Sequence, residues 1–223
     1  MRYKLTDENG KTYGGCEWEP GVSHSAPGTG ELCSDGWIYV YDSPCVAVMM
    51  NPCHADFENP RLWECEVSGN ELDDHGLKRG VQKCMTVREI PVPVLTTEQR
   101  IESAIRCALR VWSNVDFTRW AERWLDGTDR SAAAAWAAWM AISEETIWLD
   151  TSALEVAVGA AWGATCCGWV LETAASKAVW AAASKAVWAA ALNAEIDITA
   201  VIEGVVENDR NAQIIEEGKC VTN

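Results

Sequence analysis

The sequence predicts an α+β fold: a small β-rich N-terminal domain with one short helix, residues 1–95, followed by an all-α, Ala/Trp-rich helical bundle or array, residues 96–223. Three observations carry this. All 7 Pro lie at or before Pro93. Residues 1–99 hold 3 Ala and 10 Gly, whereas residues 100–223 hold 28 Ala and 6 Gly. Trp outnumbers Phe by 13 to 2, and 10 of those Trp fall in the second part. Gly and Pro punctuate turns and Ala is the strongest helix former, so chain stiffness changes near residue 95. Charge does not divide the chain, because acidic residues exceed basic ones on both sides of that point.

In the first part, residues 2–5 and 12–18 read as strands around the turn Glu8-Asn9-Gly10. Residues 20–30, with two Pro and three Gly, read as loop. Trp37-Ile38-Tyr39-Val40-Tyr41 is a strand by its aromatic and β-branched content. Ser43-Pro44 opens a helix, Ser as N-cap and Pro at the first helical position, and Asn51-Pro52 is expected to stop it. Residues 61–67 alternate, with Leu62, Glu64 and Glu66 on one face and Trp63, Cys65 and Val67 on the other. Residues 82–90 form a further strand, and Pro91-Val92-Pro93 ends the domain as a stiff linker.

In the second part, Thr96-Thr97-Glu98-Gln99 has the form of a capping box. Ile101, Ala104, Ile105, Ala108, Leu109 and Trp112 then follow at helical spacing. Asn114 or Asp116 restarts the pattern, and Asp126-Gly127 ends it. A third helix is expected over 131–142, and a fourth from the capping box at Ser152 through 171, containing the vicinal Cys166-Cys167. Ser176-Lys177-Ala178-Val179-Trp180-Ala181-Ala182-Ala183 repeats perfectly as residues 184–191. Eight residues make about 2.2 helical turns, so each copy is rotated by ~80° and Trp180 and Trp188 do not share a stripe. Ala lets helix axes approach closely, and each Trp fills the gaps between them. Asp197 is expected to cap a last helix over 198–206.

The net charge of −15 argues against generic nucleic-acid or anionic-membrane binding, which needs a basic footprint. The N-terminus shows no apolar leader pattern, and the longest uncharged run, 156–171, is shorter than a membrane span. The expected location is the cytoplasm (of a host cell if phage-encoded), with a virion as the other option. The 10 Cys are then expected to be free thiols. Residues 1–95 carry six Cys and all three His, but no Cys-x-x-Cys spacing, and Cys53-His54 are adjacent. No metal and no cofactor is expected. Walker, Gly-x-Ser-x-Gly and dinucleotide-binding patterns are absent as well.

The segment from Gly36 through Ser43-Pro44 resembles the glycine–strand–Ser/Pro–helix element of ADP-ribosyltransferase-like domains. That resemblance implies an aromatic stacked on nicotinamide and a His and Glu completing the site. His24, Tyr39 and Glu64 are the candidates here, set against the plainer reading of a loop residue, a strand residue and a solvated strand face. The same Gly36-Trp37…Asp42-Ser43-Pro44 element, with Leu62-Trp63-Glu64-Cys65-Glu66-Val67-x-Gly69 and Lys83…Thr86-Val87-Arg88-Glu89-Ile90, also resembles an uncharacterised domain family of tailed phages over residues 10–95. Ile38 stands where that family commonly has a His. Ile105-Arg106-Cys107-Ala108-Leu109-Arg110-Val111, the step Trp124-Leu125-Asp126-Gly127 and the Ala/Trp repeats resemble the Ala-rich helical domain of bacterial immunity proteins over residues 100–205. That likeness implies a non-catalytic binding role. The leading expectation is a phage-type, non-enzymatic interaction protein that sequesters a host protein or small ligand in an immunity or counter-defence role. An ADP-ribosyltransferase-like enzyme and a structural component of a virion or homo-oligomer are the alternatives.

Overall fold

The computed structural model describes residues 1–111, 113–145 and 173–220. The fold is α+β, with an antiparallel five-stranded sheet in the N-terminal half and helices mostly in the C-terminal half. The strands are β1 (Arg2–Thr6), β2 (Ser23–Ser25), β3 (Ile38–Val40), β4 (Arg61–Asp74) and β5 (Lys78–Ile90). Strand β4 lies between β1 and β5, and the far edge of β5 is shared. Val81 to Arg79 pair with β3, and Met85 to Lys83 pair with β2. Tyr3 and Tyr41 exchange backbone N–H···O bonds of 2.9 and 2.8 Å, so the chain leaving β3 returns to β1 and the sheet curls on itself. Register shifts at Glu64/Cys65 and Ser68/Glu71 supply the bend.

The curled sheet is covered on both faces. Its inner face buries Trp18, Val40, Cys65, Val81 and Cys84, with Cys16, Ile38 and Val67 packed against them. Leu5 and Leu62 face the opposite way and join a larger core with the helices. The expected alternation therefore holds, with Cys65 and Val67 inward and Leu62 outward.

Strand content departs from expectation in two places. Residues 12–18 make a short 3-10 turn, Tyr13–Gly15, and a single bridge between Lys11 and Glu17. Gly14 and Gly15 sit at φ 81° and 75°, a left-handed pair that breaks any extended run. Strand β2 lies inside the stretch expected to be loop, because its pairing with β5 is non-local. Gly36 is required by a close approach: a Cβ there would lie 2.0 Å from the Thr29 carbonyl oxygen.

The described helices are α1 (Pro44–His54), α2 (Thr97–Val111), α3 (Val115–Leu125), α4 (Ala132–Glu145), α5 (Thr173–Asn193) and α6 (Ile198–Cys220). Their starts follow local chemistry. Ser43 Oγ accepts from the N–H groups of Cys45 and Val46 at the head of α1. Thr96 Oγ1 accepts from Gln99 N at 3.1 Å while Gln99 Oε1 accepts from Thr96 N at 2.8 Å, a reciprocal capping box. Asn114 Oδ1 caps α3, and Asp197 Oδ1 accepts from Ala200 N in α6. The last helix extends well beyond the expected 198–206. The helix expected over 152–171, with Cys166 and Cys167, lies outside the described residues.

Helix α1 does not stop at Asn51-Pro52. Pro52 has no N–H, so the Val48 carbonyl loses its normal helical donor. Arg100 of α2 supplies the replacement: its guanidinium donates to Val48 O at 3.2 Å and Met49 O at 3.5 Å. Ser184 of α5 also donates to Met49 O. Thus the proline notch in α1 is where α2 and α5 dock. Trp180 lies 4.6 Å under the Arg100 guanidinium, and its Nε1 donates to Thr97 Oγ1 at 3.0 Å. Trp188, one octad later, is 42% exposed, as the rotation of the repeat requires. Val179, Ala183, Val187 and Ala190 bury the inner face of α5. One apolar cluster runs from Leu5, Val46 and Met50 through Ile101, Ile105 and Trp120 to Val187 and Ile202. Packing thus continues across the composition boundary near residue 95. No helix among the described residues is long and apolar enough to cross a membrane.

Candidate functional site

The three residues singled out in the sequence lie on three strands, each with its own partners. His24 on β2 bonds through Nε2 to the Glu17 carbonyl at 2.8 Å and packs edge-on against Trp18. Tyr39 on β3 donates its hydroxyl to Ser34 O and accepts from Ser34 N, both at 3.0 Å. The Lys78 ammonium covers its ring at 4.9 Å, and burial raises its phenol pKa. Glu64 on β4 receives two hydrogen bonds from Arg88, at 2.6 and 2.7 Å, which hold its carboxyl below the ordinary value. Among the described residues, no hydrogen bond, ion pair or ring contact joins any two of the three.

A different set of side chains lines an open groove of about 820 Å³. One wall is the tip of the β4–β5 hairpin, with Asp73, His75 and Arg79, and the other is the α5–α6 connector, with Glu195 and Asp197. Asp42, just after β3, completes the lining. The hairpin tip is fixed by a web of ion pairs. Asp42 takes Arg79 Nε at 2.8 Å and Arg2 at 3.0 Å, and Arg79 reaches Asp73 at 3.4 Å. These pairs keep Arg79 charged by raising its pKa, although burial works against them. Glu195 and Asp197 are exposed and make no ion pair among the described residues. The lining thus carries four carboxylates against one guanidinium. A second groove, about 540 Å³, shares the same connector and is lined by Arg106 and Arg110 as well as Glu195 and Asp197; Arg106 there is paired with Glu102 at 2.7 Å.

Sequence reasoning did not find this groove. Asp197 was legible only as a helix cap, and Asp73-Asp74-His75-Gly76 has the composition of a polar turn. The acidic turn and the acidic connector are more than a hundred residues apart, and the docking of α5 and α6 against α1 and α2 brings them together. Among the described residues, no group of three or more His, Cys, Asp or Glu is placed to hold a metal ion. No family model, curated protein or solved structure matches this chain.

Proposed function

We propose that this protein is a non-enzymatic interaction protein that sequesters a basic protein partner, in keeping with an immunity or counter-defence role. The groove between the β4–β5 hairpin and the α5–α6 connector receives the partner's Lys or Arg side chains. The observation that carries this reading is the excess of carboxylates in an open groove, with Glu195 and Asp197 exposed and outside any ion pair among the described residues. A chain charge of −15 adds long-range attraction for a basic surface, which raises the association rate more than the final affinity. His24, Tyr39 and Glu64 are each engaged by separate partners, Glu17 and Trp18, Ser34 and Lys78, and Arg88, so no observation favours the transferase alternative.

Charge reversal tests the reading. Glu195→Lys is expected to slow association with a captured basic partner about tenfold at low salt, the scale of electrostatic steering. Glu207→Lys changes the net charge equally on exposed α6 surface away from the groove, and is expected to have a much smaller effect. Capture by surface plasmon resonance at two salt concentrations reads both. Equal losses for the two variants, or salt-independent binding, would sink the proposal.

A further inference from the structure

We infer that the second groove, between α2 and α6, takes a large apolar side chain of the same basic partner, beside the Lys or Arg that the first groove receives. The inference rests on the reading proposed above and adds the kind of segment that the partner presents. The two grooves adjoin, because Ala194, Glu195, Ile196 and Asp197 line both. A segment laid across the connector therefore meets one groove with one side chain and the second groove with a neighbouring one.

The second groove has an apolar lining. Leu109 of α2, Ile196 of the connector and Val201 of α6 are half-buried in it, and Val205 is buried. Half-covered apolar surface gains from being covered by another apolar group. Gly204 also lines this groove, well inside α6. Glycine within a helix is unfavourable relative to alanine. The φ of Gly204 lies outside the left-handed region, and a Cβ there would meet nothing within 4 Å among the described residues. Neither backbone conformation nor packing against those residues calls for glycine here. What the missing side chain does is leave the space between α2 and α6 open.

Charge selects the occupant. Glu195 and Asp197 are exposed where the two grooves meet, outside any ion pair among the described residues. They favour an apolar side chain whose neighbours in sequence are cations. The α2 wall has the opposite sign. Arg106 is committed to Glu102 at 2.7 Å, whereas Arg110 is exposed and makes no ion pair among the described residues. Arg110 repels a cation brought onto α2, so the partner's Lys or Arg stays over the connector and an uncharged side chain enters between α2 and α6. The occupant is thus a segment of a basic protein in which Leu, Met or Phe stands beside Lys or Arg. A second copy of this chain fits poorly, since two chains of charge −15 repel each other.

Synthetic Gly/Ser-rich peptides with a central Leu or Ser, flanked on both sides by Lys or by Ser, are titrated into the isotope-labelled full-length protein and followed by backbone amide NMR shifts. The Lys-flanked Leu peptide is expected to bind about tenfold more tightly than the Lys-flanked Ser peptide, the scale for one apolar side chain moved into a half-open groove. It is expected to shift the amides of Val201, Gly204 and Val205 together with those of Glu195 and Asp197. Gly204→Leu, whose side chain occupies the groove, is expected to abolish the preference for Leu, and Gly204→Ala, which adds one methyl, to keep most of it. Both substitutions raise helix propensity at a place where a Cβ meets no described atom. No gain in binding from Leu over Ser between Lys residues, or a gain that Gly204→Leu leaves intact, would overturn the inference while a preference for Lys over Ser flanks kept the acidic-groove reading standing. Lys-flanked peptides that bind no better than Ser-flanked ones would remove that reading, and the inference with it.

Discussion

Arg100→Met is expected to destabilise the protein by about 2 kcal/mol when Pro52 is present, and to be nearly neutral when Pro52 is replaced by alanine. The physical reason lies in one carbonyl. With Pro at position 52, Val48 O depends on Arg100 for its hydrogen bond. Removing the guanidinium leaves a buried acceptor without a donor, which costs about 1–3 kcal/mol. It also removes the cation–π contact with Trp180, worth about 1 kcal/mol or more where water is excluded. Met49 O is less exposed to the change, since Ser184 still donates to it.

An opposing effect fixes the sign of the second arm. Arg100 is 3% exposed with no carboxylate paired to it among the described residues, and burial lowers its guanidinium to about 10. Its charge is therefore held at an energetic cost, accepted because the notch in α1 needs a donor. In a Pro52→Ala background the backbone regains an N–H at that position, which bonds to Val48 O as in any helix. Arg100 then has less to do, and Arg100→Met relieves a buried charge while filling much of the same volume. The coupling between the two positions, measured by urea denaturation of the four proteins, is expected to be about 2 kcal/mol. An equal cost of Arg100→Met in both backgrounds would show that the proline notch is not what holds the arginine.

The same pair shows where sequence reading succeeds and where it fails. A proline after asparagine is a local stop signal, and judged locally α1 should end there. It continues because a side chain 52 positions from Val48 supplies the missing donor, and no window of sequence contains both. The caps at Ser43, Thr96 and Asn114 were legible for the opposite reason: donor and acceptor lie within three residues of each other. Strand β2 escaped notice because its three residues carry no alternation of their own and exist only by pairing with β5. The repeat reads identically in both copies, yet Trp180 is docked under Arg100 while Trp188 is exposed. Helical rotation was predictable from the period, but the identity of the face that meets α1 and α2 was not. Lys4 was one charge in a short strand, and the groups that meet it in the interior, the Tyr39 carbonyl and the Trp18 ring, come from β3 and the loop before β2.

Mild acid is expected to destabilise the fold through His54, at the end of α1. Its Nδ1 bonds the Tyr41 hydroxyl at 3.2 Å, and the two rings stack. Burial raises the Tyr41 phenol, so that hydroxyl keeps its proton and can donate it to Nδ1 of a neutral His54 that carries its own proton on Nε2. Nε2 is buried and has no partner among the described residues. Protonating His54 would turn Nδ1 from an acceptor into a donor to the Tyr41 oxygen and add a buried cation near Lys78. Burial first, then Lys78, lower its pKa from 6.5 to about 4. The unfolded chain takes up this proton below about pH 6.5 and the folded chain does not until about pH 4. Stability from His54 is therefore fully present above about pH 6.5 and falls as pH drops, by up to about 1.4 kcal/mol per unit, for a total of about 3 kcal/mol once pH is below about 4. Carboxylates held low by arginines, Glu64 by Arg88 and Glu89 by Arg61, lose their contribution only below the ordinary carboxylate value of 4.5. The span from about pH 6.5 to about pH 5 thus isolates His54. Thermal or urea denaturation across that span should show the slope in wild type and its loss in His54→Gln, and a slope unchanged by His54→Gln would reject the assignment.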